Sequence, residues 1–311
     1  MSLGLCCHFV EEITHRNGKK TIHNIFDAKT LQLGRFERSE YSEDRIRSTY
    51  LHNFRSILTT LPKVVKAGIR HYRMSSDCLP LSDKVPREYW DNTELRNLLK
   101  QIGDFTRHER MRISVHPGQY CVLNSTRDSV IQKSVWELVQ HAWIFDACEF
   151  DQTPYYAINI HAGSGNRYSQ LIDTIKILPH TVRSRLTLEN CESVGNVEEL
   201  VAVSQSTGVP VVFDSHHHVF NQGSLTMQQA FDAASRTWPS DIKPLQHVAN
   251  TEPGLENSSF SQRRKHSNYI NYIPECQLEA LKANTIDVEV EAKLKNLSLI
   301  ALQNKFGLKF A

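Results

Sequence analysis

Short apolar runs that end in a histidine or an acid and then meet a turn recur along this chain, and they restrict its fold more than any other feature. In order they are MRISVHPG ending at His116, YAINIHAG at His161, LTLENCE at Glu189, VVFDSHHH at Asp214, His216 and His217, PLQHVANT at His247 and IDVEVEAK at Glu291. Apolar, β-branched runs of about four to eight residues bounded by Gly or polar residues read as buried parallel strands. A barrel of such strands gathers their C-terminal ends on one open face, where the side chains converge.

Helical patterns fill the gaps. The segment from about Ser42 to Lys66 places Ile46, Tyr50, Phe54, Ile57 and Leu58 on one helical face. Further helices are predicted over 93–108, 129–148, around Leu171 to Ile177, over 196–207 closed by Gly208 as C-cap, over 224–238 and over 294–306. SLGLCCHFV and IRHYRMSS supply two more strands, giving eight in all with helices between them. The reading is α/β: a (β/α)8 TIM barrel, one domain over residues 1–311, with a metal site at the C-terminal face of its strands. The rival, an open doubly wound sheet, needs a reversal of strand order. The long polar stretch Thr251 to Asn268 stands out as a functional loop.

Composition sets bounds on this picture. A chain of 311 residues, 40 % hydrophobic, is ordinary for a barrel of about 250 residues plus insertions. No apolar stretch approaches the roughly 20 residues of a membrane span. MSLGLCCHFVEE lacks the basic start and apolar run of a signal peptide, so the expectation is a cytoplasmic protein with reduced cysteines. Cys6 and Cys7 read as small hydrophobes of the first strand rather than thiolate ligands. A net charge of +2, from 36 basic and 34 acidic residues, neither demands nor excludes a polyanionic partner.

Glu189, Asp214 and Glu291 sit in otherwise apolar strands, and a buried, unpaired carboxylate is strongly penalised, so each needs a cation. Most strand ends carry no basic residue; they carry His116, His161 and His247 instead. Imidazole nitrogens with carboxylate oxygens suit Mn, Fe or Zn, and three acids call for two or three divalent ions. If strand alternation runs through His216, His217 and His218, at least one of them turns away from the interior. In HPGQY the Pro-Gly turn presents Gln119 and Tyr120 at the rim. A tyrosine there can stack on a base and a glutamine can bond a base edge, or the tyrosine can pack on its own loop. Arg73 is placed to grip a phosphate or to pair with one of the acids. The basic runs SQRRKH and, more weakly, RNGKK (16–20) are candidates for phosphate contact or for plain surface.

The motifs HYRMSS, SVHPGQYCVLNS, INIHAG, LTLENCE, VVFDSHHH, RKHSNYI and DVEVEAK, spread in order from about residue 70 to 295, resemble the UV damage endonuclease family. That resemblance implies a barrel akin in architecture to endonuclease IV and a cluster of divalent ions, typically Mn. It implies damaged double-stranded DNA as partner, nicked 5′ to a lesion by metal-activated water; a monomer is the expectation for the chain itself. Carried over by motif, the ligands are His116, His161, Glu189, Asp214, His217, His247, His266 and Glu291, and Gln119 and Tyr120 match the pair pushed into the duplex. Two departures are visible. The family's modified lysine, two residues before the position of His247, is Leu245 here, with Lys243 a further two residues back. The first strand offers Leu5 and Phe9 where the family tends to place Tyr and Asn. The alternative reading is a multinuclear-metal enzyme on the same scaffold, an isomerase or an iron-dependent oxidase, acting on a small molecule or peptide.

Overall fold

Eight parallel strands close into a barrel in a computed structural model that describes residues 2–163 and 165–308. They are β1 (Ser2–Cys6), β2 (His71–Met74), β3 (Arg112–Val115), β4 (Ile158–His161), β5 (Leu186–Glu189), β6 (Val211–Asp214), β7 (Leu245–Val248) and β8 (Asp287–Val290). Each pairs with its neighbours in sequence, and β8 closes on β1 in the register Ser2↔Asp287 to Leu5↔Val290. The helices that follow the strands are α1 (Glu43–Lys66), α2 (Thr93–His108), α3 (Asp128–Ala147), α4 (Tyr168–Ile177), α5 (Val197–Thr207), α6 (Met227–Ser235), α7 (Glu275–Lys282) and α8 (Lys295–Phe306). The predicted α/β barrel is what forms. Among the described residues no helix is long and apolar enough to cross a membrane.

Strand alternation divides the side chains into two sets. Leu3, Leu5, Tyr72, Ile113, Ile158, Ile160, Leu188, Phe213 and Val288 point outward into the main hydrophobic core beneath the helices. Full burial of side chains of this size contributes about 1.5–3 kcal/mol each, so this outer layer holds the barrel together. The inward set is largely polar and stacks in three levels. Ala157, Val212 and Leu245 plug the floor with Trp238, beside Arg112 paired to Asp287 at 2.9 Å. His71, Ser114 and Glu289 meet in the middle, and the predicted site residues lie above them. Gly4 makes room for that middle level, because a Cβ there would stand 2.9 Å from His71 Nδ1.

Helix ends follow their local signals. Ser42, Asn92 and Asn196 cap α1, α2 and α5, the last with a full capping box to Glu199, and Gly208 closes α5 at φ +74°.

Two expectations are corrected, and one basic run is placed. The first strand stops at Cys6, because Cys7 takes φ +63°, and the chain continues into an antiparallel hairpin, Val10–Thr14 with Lys20–Asn24. RNGKK is the turn of that hairpin, with Gly18 at φ +76°, where Asn-Gly satisfies a left-handed requirement. After Asp214 the chain does not stay pleated: Asp214 accepts from the backbone of His217 at 2.8 Å and caps a short helix, Ser215–Phe220, in which all three histidines are buried.

Candidate metal centre

The upper level of the barrel interior is built from adjacent strand ends. His116 follows β3, His161 ends β4, Glu189 ends β5, Asp214 ends β6, His247 lies in β7 and Glu291 follows β8. His217 enters from the capped helix after β6, and His266 from the loop after β7, pinned by the Thr251↔His266 bridge. Every predicted ligand therefore reaches the same mouth. Three overlapping sets each bring one donor atom per residue within 4.8 Å of the others: His116, His161 and Glu189; Glu189, Asp214 and His217; Asp214, His247 and Glu291. His266 stands at the edge, its Nε2 3.4 Å from Glu291 Oε2.

Glu189 is the hub and is fully buried. His116 Nε2 lies 2.9 Å and His247 Nδ1 3.2 Å from its Oε2, and His217 Nδ1 lies 3.2 Å from its Oε1. Among the described residues its ion-pair partners are all histidines, with no lysine or arginine.

Donors and acceptors do not balance here. His116 turns Nδ1 to the Pro117 carbonyl at 2.9 Å, which only accepts, and Nε2 to the Glu189 carboxylate. A neutral imidazole has one N–H to give, so a ring between two acceptors calls for an added positive charge. His217 gives Nδ1 to the Asn190 carbonyl at 2.9 Å, and Glu189 Oε1 is left without a hydrogen-bond partner. Asp214 Oδ2, His161 Nδ1 and both nitrogens of His247 are buried and likewise unpartnered among the described residues. The His247 contacts, 3.2 Å to Glu189 and 3.0 Å to Glu289, are close but not aligned as hydrogen bonds. Nitrogen and oxygen donors that share one ion at about 2.1 Å and a right angle stand about 3.0 Å apart, so such spacing fits common ligation. The donor set and its orphaned atoms suit divalent cations.

Electrostatics agree. Burial alone would raise the Glu189 carboxyl, but His247, His161 and His116 hold it well below the usual carboxylate range. Burial opposes charge on His247 too, yet Glu189 and Glu289 push it well above an ordinary histidine. Burial likewise works against a charged His217, and Asp214 and Glu189 overcome it and raise the group well above its ordinary value.

The other predicted residues are placed as follows. Gln119 and Tyr120 are exposed on the turn after His116, and Tyr120 is 81 % exposed. Arg73 rises from β2 and donates to Glu289 at 3.1 Å and, through a shorter contact, to Glu291, so both observed side-chain bonds go to carboxylates. Lys243 lies at the opposite mouth of the barrel, where Nζ reaches Asn284 at 2.7 Å and its carbonyl accepts from Arg112, so it cannot reach this site. Leu245 is packed into the floor plug, and Leu5 and Phe9 face the outer core.

Sequence reasoning missed Glu289, His71 and Asn159. The middle-level Glu289 takes His71 on Oε1 and Arg73 on Oε2, and Asn159 donates to Glu189. The available signal was the strand period: each lies two residues before a named site residue, on the same face.

Comparison with known proteins gives a consistent answer. The family model described as UV-endonuclease UvdE matches residues 2–309. A UV DNA damage endonuclease of Nostoc sp. is 34 % identical over 269 residues, covering 84 % of this chain and 80 % of the relative. One from Deinococcus radiodurans is 31 % identical, covering 84 % of each chain. The crystal structure of SacUVDE superposes with a TM-score of 0.78 at 27 % identity, covering 99 % of this chain and 100 % of that one.

Proposed function

Since the chain belongs to the UV-endonuclease UvdE family, we propose that it is a metal-dependent endonuclease that nicks damaged double-stranded DNA on the 5′ side of a lesion. The observation that carries the metal dependence is Glu189, buried among His116, His217 and His247 with no lysine or arginine partner and one oxygen unpartnered among the described residues. Two or three divalent ions, manganese by preference, would be held by His116, His161, Glu189, Asp214, His217, His247, His266 and Glu291. When bound they supply polarisation of the scissile phosphate, a nucleophile at neutral pH and stabilisation of the leaving oxygen.

The chain's own groups prepare that chemistry. Glu189, Asp214 and Glu291 bring the negative charge that offsets the cations. The Pro117 and Asn190 carbonyls fix the rings of His116 and His217 in orientation. Asn190 also bonds the Asp214 backbone in both directions, at 2.8 and 2.9 Å, which holds β6 against β5 beneath the site. Exposed Gln119 and Tyr120 enter the duplex at the damaged step, Tyr120 offering a stacking face. Arg263, Arg264 and Lys265 at the rim contact the phosphates, Arg264 anchored to Glu192 at 2.7 Å. The seven free cysteines fit a reducing, cytoplasmic setting, and a monomer suffices because every proposed ligand comes from one chain. Family membership favours this reading over an isomerase or oxidase on the same scaffold.

The test is nicking of a UV-irradiated duplex oligonucleotide by protein stripped with chelator and reloaded with Mn2+. Cleavage 5′ to the photoproduct that needs Mn2+ and is absent in Glu291→Gln supports the assignment. Equal cleavage with and without metal, or none from reloaded protein, overturns it.

A further inference from the structure

Glu289 is a fully buried acid beneath the ligand set, and the reaction outlined above gives it no part. Its two oxygens are shared out. Oε1 accepts from His71 Nε2 at 3.1 Å and from the Ser114 hydroxyl, and Oε2 accepts from Arg73 Nη1 at 3.1 Å and lies 3.0 Å from His247 Nε2. The same Nη1 of Arg73 also donates to Oε1 of Glu291, a member of the ligand set. One guanidinium nitrogen therefore stands between two carboxylates, one below and one at the mouth.

That sharing matters for Glu291. A guanidinium that faces a single carboxylate forms a private, charge-neutral pair and competes with any cation for that carboxylate. Between two carboxylates the cluster keeps a net negative charge, and Glu291 remains able to bind a metal. We propose that Glu289 is a positioning residue: held in place by His71 and Ser114, it shares Arg73 with Glu291, so that the guanidinium charge is not spent on Glu291 alone and Glu291 keeps the negative charge to ligate a divalent cation. The inference rests on the metal-centre reading above and assigns Arg73 to the tuning of Glu291 rather than to the substrate phosphate.

The test is Mn2+ binding to chelator-stripped protein, followed by calorimetric titration and by the electron paramagnetic resonance of bound Mn2+, with no DNA present. Glu289→Gln, which keeps the shape and removes the charge, is expected to bind Mn2+ about 10- to 100-fold more weakly, as loss of a residue that orients a ligand does. The double variant Arg73→Met with Glu289→Met removes the Arg73 claim on Glu291 together with the acid that shares it and is expected to return affinity toward wild type, an outcome that a merely structural role for Glu289 would not produce. Replacing a buried pair by apolar side chains is commonly tolerated, and if Glu289→Gln does not fold the double variant is compared with Glu289→Met instead, which must bind Mn2+ more weakly than the double one. Wild-type affinity in Glu289→Gln, or a double variant no tighter than the single one, overturns the inference while the metal reading stands. Wild-type protein that takes up no Mn2+ overturns both.

Discussion

Replacing Glu189 by Gln should uncouple metal binding from stability. The carboxylate is fully buried and lies within 2.9–3.2 Å of His116, His217 and His247, and it belongs to two of the three ligand sets. In metal-free protein the substitution leaves three imidazoles without the charge they share, and removal of one partner from a buried ionic cluster costs about 3–5 kcal/mol. The metal-dependent increment is the sharper quantity. With Mn2+ at about 100 times its dissociation constant, wild-type protein gains about 2.7 kcal/mol. If the substitution weakens binding about 100-fold, the same Mn2+ concentration gives the variant about 0.4 kcal/mol. At about 2 °C per kcal/mol for a domain of this size, the wild-type melting temperature rises about 5 °C on Mn2+ addition and that of the variant about 1 °C. Differential scanning calorimetry of chelator-stripped samples, with and without Mn2+, measures both effects. An equal Mn2+ increment in the two proteins would refute the placement of Glu189 at the centre of the cation site.

Other consequences are independent of that one. Tyr120→Ala should abolish preference for irradiated over intact duplex while leaving the melting temperature and Mn2+ affinity unchanged, because the side chain is 81 % exposed; a loss of Mn2+ binding would contradict the wedge role. Substituting Arg263, Arg264 and Lys265 together by Ala should weaken binding to all duplexes alike and reduce the slope of log affinity against log salt by about one for each phosphate no longer neutralised; an unchanged slope would place DNA elsewhere. His141, buried in α3, is lowered by burial to about 4. Its unfolded value is about 6.5, so the stability it contributes, about 3 kcal/mol, is complete above pH 6.5 and is lost as pH falls toward 4. His141→Leu should flatten the fall in urea midpoint between pH 7 and 4.5, and parallel slopes for the two proteins would count against this account.

How far the primary structure reaches can be followed residue by residue. The run-and-turn pattern sufficed for six of the eight strands, because a strand buried on both sides must be apolar outward and a turn must follow it. It also brought His116, His161, Glu189, Asp214, His247 and Glu291 to one mouth, since an acid such as Glu189 at the end of such a strand has no local partner. The helix after Asp214 was missed because a run of three histidines has no distinctive period, while a capping bond to the backbone of His217 settles its conformation. The hairpin was missed because its strands are largely exposed and lack the apolar signal, though Asn17-Gly18 announced its turn.

The chain's linear order of apolar and polar residues determined that a closed parallel sheet would form and which side chains would crowd one mouth, since both follow from periods of two and 3.6 within short segments. Only the closed barrel decided who faces whom. Arg73 and Glu289 lie 216 positions apart and meet because β8 returns to β1, and β2 lies on the other side of β1. Lys243 is excluded because the register puts it at the far mouth. Charge balance among buried groups depends on distances of about 3 Å between remote segments, and no local pattern carries that information.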